Sequence, residues 1–214
     1  MPDDAAPADD APWRRPVGST PGETGRIVGM VVLQGVIADE ATTYASVLSQ
    51  WPATQFVRIG RRTGRTAGAG GAILVDARFD DVDHVDVLVV PGTIGAEASG
   101  TDAGVARWLT TQTRSADWVL ASSTGTLLLA GCGLLRDRRA TTHWLATARL
   151  TAYGTDPDIA RSCRDGNLLT SRGLTGARET ALWLTAQLFG TETTRRIEHG
   201  IPGAATAPTG PAAR

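Results

Sequence analysis

Three short stretches hold residue types that can do chemistry. Asp39-Glu40 follows an apolar run and opens a helical pattern, Gly92-Thr93 follows a second apolar run ended by Pro91, and Ser123-Thr124-Gly125 follows "DWVLAS" (117–122). Glu40 is the candidate proton carrier, because a carboxyl group at the mouth of an apolar pocket can give and take a proton. Consecutive helical residues do not share a face, so only one of Asp39 and Glu40 is expected to point inward. The competing reading is acidic capping of the first helical turn.

Ser123 stands where a strand gives way to a helix start, a favourable place for developing negative charge. An alcohol is not usefully ionised at neutral pH and needs a positioned base. The stretch Ala121-Ser122-Ser123-Thr124-Gly125 also differs from the G-x-S-x-G elbow of serine hydrolases. Three roles stay open for Ser123: a covalent nucleophile, a hydrogen-bonding pocket residue, or an inert one. The amides of Gly92 and Thr93 and the Thr124 hydroxyl can serve a carbonyl, an enolate or a nitrile-like nitrogen; their alternative role is turn geometry. His143, in "ATTHW" (140–144), is a base or substrate-binding residue, or else a structural one.

Other candidates fall away on context. Cys132 and Cys163 form no CxxC and read as small buried residues. "DDVDHVD" (80–86) reads as a charged lead-in to a strand, with no matching ligand cluster, so no metal site is expected. "GAGG" (68–71) precedes a strand instead of linking strand to helix, so it is no phosphate loop. No cofactor is called for.

The elements that must position these groups alternate in type. The apolar, β-branched run at 26–33 and the stretches 85–92 and 117–122 read as buried strands, 54–60 as a further strand, and 65–79 as a glycine-loosened turn and a short strand. Ala41, Tyr44, Ala45 and Leu48 mark one helical face, and Val105, Trp108, Leu109 and Gln112 another. "LLLA" forms a short helix, Asp165-Gly166-Asn167 turns between two extended pieces, and helices are expected over 177–189 and 192–199. This order predicts an α/β fold, flavodoxin-like and doubly wound, with a mostly parallel sheet covered on both faces. Such sheets bind ligands beyond the carboxyl ends of their strands, where Glu40, Gly92 and Ser123 gather.

The chain has 214 residues, enough for one domain over 25–199. Net charge is −1 and all 21 basic residues are Arg, so neither nucleic acid nor an anionic membrane is an expected partner. Residues 1–24 and 200–214, rich in Pro and Ala, read as disordered tails. No apolar run has membrane-spanning length and no secretory segment stands out, so a cytoplasmic protein is expected.

Four segments together carry a family resemblance: "DVLVVPG" (86–92), "WVLASSTGTLLLAGCGLL" (118–135), "RRATTHW" (138–144) and "RDGNLLTSRGLTGARETALWLTAQLFG" (164–190). Over roughly residues 26–199 the chain resembles the ThiJ/PfpI superfamily, the class I glutamine-amidotransferase-like fold, in its isonitrile hydratase-like branch. The resemblance implies a cysteine where Ser123 stands, while Thr124 matches the hydratase branch. It gives Glu40 the family acid's place. Thr43-Tyr44 replaces Gly-Pro in a pocket-lining motif, and Pro91-Gly92-Thr93 replaces Pro-Gly-Gly. It also implies a homodimer.

The function expected is a lyase, hydratase or cyclase acting on a small, largely apolar and specialised metabolite. Glu40 would move a proton, with Ser123 and Thr124 in the catalytic centre and Gly92, Thr93, Tyr44 and His143 binding substrate. The alternatives are a non-catalytic, sensor-like ligand-binding domain and a hydrolase using Ser123. No helix-turn-helix pattern follows Phe189, so a sensor would need a separate partner chain.

Overall fold

The computed structural model describes residues 25–201. The expected tails fall outside that range, except for Gly200, which belongs to the last helix, and Ile201, which follows it. Strand β1 (Arg26–Val31) leads to helix α1 (Ala38–Leu48), then β2 (Thr54–Gly60), the hairpin β3 (Gly64–Gly68) and β4 (Gly71–Val75), and β5 (Ala77–Arg78). Strand β6 (Val87–Val90) is followed by helices α2 (Ala96–Gly100) and α3 (Ala103–Ser115), then by β7 (Trp118–Ser122) and α4 (Thr124–Gly131). The rest runs β8 (Arg139–Ala140), α5 (Thr147–Ala152), β9 (Asp156–Pro157), β10 (Ser162–Asp165), β11 (Leu168–Ser171) and α6 (Leu174–Gly200).

Seven strands form one sheet in the order β10-β11-β7-β6-β1-β2-β5, and every pairing is parallel except β10 with β11. The period of two along each strand divides the core. Val28 and Met30 of β1, Val87 and Val89 of β6, Leu120 of β7 and Leu169 of β11 pack with Tyr44 and Val47 of α1 and Ala181 and Leu184 of α6. Their neighbours Ile27, Leu88, Val119 and Leu168 pack on the other face with Leu109 of α3, Leu128 of α4 and Leu150 of α5. The expected doubly wound sheet is therefore the observed one.

One local expectation changes. Residues 64–75 form a full antiparallel hairpin, with Thr66 opposite Ile73, because the glycines supply its turn, and the short strand that follows is β5. The hairpin tip has a structural role: Ala69 exchanges backbone hydrogen bonds with Val36 and Ala38, bracing the entry to α1. The two expected C-terminal helices are both present within α6, separated by a break at Gly190, where φ is 81° and ψ is 171°. No helix among the described residues is long and apolar enough to cross a membrane.

Candidate active site

Helix α1 begins at the carboxyl edge of the sheet because residues 35–37 pair with the segment after β6. Ile37 N–H donates to Gly92 O at 2.7 Å, and Ile94 N–H to Gly35 O at 2.8 Å. This clamp turns Glu40 toward Gly92 and leaves Asp39 exposed, as the helical geometry requires. Glu40 is buried and makes no cap to its own helix. Its Oε2 accepts from the Gly92 N–H at 2.9 Å and from the Ser122 hydroxyl at 2.6 Å.

Ser123 lies on the other side of Gly92. A Cβ placed on Gly92 would stand 2.7 Å from Glu40 Oε2 and 3.0 Å from Ser123 Cβ, so glycine is what lets the two groups approach. Ser123 itself adopts φ 51° and ψ −131°, an uncommon conformation for a residue with a side chain and a form of strain found at functional turns. The fold holds it there from three directions. Its N–H donates to Ser171 O at 2.8 Å, and its carbonyl accepts from the Thr142 hydroxyl at 2.7 Å and from Thr126 N–H at 3.2 Å. Gly125 lets α4 start this close to the sheet, since a Cβ there would meet Val90 O at 2.2 Å.

A cavity of about 600 Å³ opens in front of this turn. Ser123, Thr124, Thr93 and His143 line it, with apolar walls that include Ile37, Ile94, Leu127 and Leu145. Arg149 and Glu97 meet at its edge at 2.6 Å, and Glu97 also accepts from the Tyr153 hydroxyl at 2.5 Å. His143 Nδ1 accepts from Leu145 N–H at 3.3 Å, which leaves Nε2 as its free ring nitrogen.

Three expectations are revised by this geometry. The Gly92 and Thr93 amides are not free to serve a substrate, because Gly92 N–H is held by Glu40 and Thr93 N–H donates to the Thr124 hydroxyl at 2.8 Å. The Thr124 hydroxyl is engaged too, donating to Thr93 O at 2.8 Å. The amides of Thr124 and Gly125, in the first turn of α4, are the ones with no acceptor inside their helix. Tyr44 is wholly buried near Glu40, and neither of the two is among the residues that line the cavity. Burial pushes its phenol up to about 12.

Ser122 was not singled out in the sequence, yet it holds Glu40. Period-two alternation along β7 was the available signal, since Ser122 follows Leu120 onto the face that α1 covers. Neither cysteine joins the site. Burial raises both thiols, that of Cys163 to about 12, so both stay protonated at neutral pH. In the acidic 80–86 stretch, Asp81 accepts from Arg78 and Asp86 from Ile27 N–H. Among the described residues no group of three or more His, Cys, Asp or Glu side chains is placed to hold a metal.

Residues 28–187 match the model of the DJ-1/PfpI family. The chain belongs to that family. Within it, the chain is 34% identical over 133 residues to the isonitrile hydratase of Pseudomonas putida, an alignment covering 62% of this chain and 58% of that protein. It is 30% identical over 132 residues to protein dj-1beta of Drosophila melanogaster, covering 60% and 71%. A THiJ/PfpI family protein from Pseudomonas syringae has the same fold, with a TM-score of 0.80 at 22% identity over 97% of this chain and 84% of that one. The crystal structure of the Drosophila protein superposes with a TM-score of 0.74 at 25% identity, over 82% and 97%.

Proposed function

We propose that this DJ-1/PfpI family member is a hydratase or related lyase for a small, largely apolar molecule, with Glu40 as its proton carrier. One observation carries the reading: a buried carboxyl group held against a strained serine turn that faces an apolar-walled cavity. The similarity to an isonitrile hydratase supports the reaction class and suggests the first substrate to try. In such a hydration, Glu40 gives a proton to the terminal carbon of R–N≡C. Water then adds to the same carbon and returns a proton to Glu40. The R–N=CH–OH so formed tautomerises to the formamide.

In this mechanism Ser123 orients the reacting group and forms no bond to it. The Thr124 and Gly125 amides, at the positive end of α4, favour the electron density that builds on the oxygen of the adding water as it gives up its proton. Incubation with alkyl and aryl isonitriles, followed by NMR for the formamide, tests the reaction. Formamide production that is lost in Glu40→Gln supports it. Saturable binding of isonitriles with no product across the panel would favour the ligand-binding domain instead.

A further inference from the structure

The two donors to Glu40 Oε2 are not equivalent. The Gly92 N–H can only donate, and its direction is fixed by the backbone. The Ser122 hydroxyl is both donor and acceptor, and its hydrogen rotates freely about the C–O bond. Ser122 can therefore donate to Glu40 when the carboxyl is ionised and accept from it when it is protonated.

The surroundings of Ser122 suit this exchange. It is wholly buried on the α1-α6 face of the sheet, whereas its neighbour Ser123 lines the cavity. Beside it lies the Tyr44 hydroxyl, flanked also by Ser171 and Thr180. The Tyr44 hydroxyl is buried and has no partner at hydrogen-bonding geometry, and the same holds for Ser171 Oγ.

We propose that Ser122 is a positioning residue for Glu40: a reorienting hydroxyl that keeps the carboxyl group hydrogen-bonded in both of its protonation states. The proton resides on Glu40 Oε2, Ser122 O–H rotates without breaking, and the Gly92 amide holds the same oxygen throughout. Glu40 can then take up and return a proton without the carboxyl group swinging away from Ser123. This rests on the reading of Glu40 as a proton carrier.

Infrared difference spectra between neutral and acid solutions test the proposal without a substrate. Acidification is expected to produce a protonated-carboxyl C=O band that vanishes in Glu40→Gln, which assigns it. In Ser122→Ala the band should move to higher frequency, because the acid proton has lost its acceptor. Ser122→Thr, which keeps the hydroxyl, should restore the original position, and if it does not fold the alanine variant decides alone. A Glu40 band unmoved by Ser122→Ala overturns the role of Ser122 while leaving Glu40 as a proton carrier. The absence of any Glu40 band would remove both.

Discussion

Gly92 and Glu40 are 52 residues apart in sequence, yet the Gly92 amide donates to Glu40 Oε2 at 2.9 Å and its α-carbon leaves room for nothing larger. Gly92→Ala forces a methyl into the space shared by the Glu40 carboxylate and Ser123 Cβ. The variant is expected to lose about 1–3 kcal/mol of stability from this overpacking, measured by urea unfolding. Its turnover should fall by more than that of a variant equally destabilised elsewhere.

Glu40→Gln preserves size and leaves an amide oxygen for the Gly92 and Ser122 donors, but it cannot carry the proton. Turnover should drop by roughly 10²–10⁴-fold with the melting temperature near that of the parent protein. A variant that keeps parental turnover would reduce Glu40 to a clamp for the Gly92 turn.

If Ser123 orients the substrate as proposed, Ser123→Ala should cost about 1–3 kcal/mol, a tenfold to hundredfold loss of rate. Mass spectrometry during turnover should find no adduct on the serine. Ser123→Cys should bring no isonitrile hydration beyond that of the parent protein. A trapped adduct on Ser123 would replace the orienting role with covalent catalysis.

Tyr44 links the site to alkaline stability. Its phenol ionises near 10.0 in the unfolded chain but is held neutral up to about 12 by burial in the folded one. The stability this contributes is complete below pH 10 and is lost as pH rises toward 12. Cys163, raised from 9.0 to about 12, adds a loss that begins lower. Tyr44→Phe should change the melting temperature little at pH 7, since the hydroxyl has no bonded partner. Above pH 10 it should make the fall in melting temperature shallower, and an unchanged slope in thermal scans would contradict the assignment.

The family resemblance leads us to propose a symmetric homodimer. Ile94 and Leu145, 66% and 70% exposed at the cavity mouth, are apolar side chains that association can cover. Light scattering at micromolar concentration should give twice the chain mass, and a monomer mass throughout would contradict the dimer.

What the sequence determined by itself was local and periodic. Uninterrupted apolar runs such as Val87–Val90 are stable only when buried on both faces, so a covered parallel sheet followed from them. The break at Gly190, and the rule that only one of Asp39 and Glu40 turns inward, likewise follow from residue type and helical spacing. Tertiary structure decided which polar groups are already engaged. The Thr93 amide, free on paper, is bonded to the Thr124 hydroxyl 31 residues away, and Tyr44 is buried near Glu40 and does not line the cavity. Ser122 became visible only when β7 came to rest under α1, bringing its hydroxyl to Glu40 across 82 residues. Side-chain periodicity is encoded in neighbouring residues, whereas the pairing of buried donors and acceptors depends on distances that exist only once distant segments have packed.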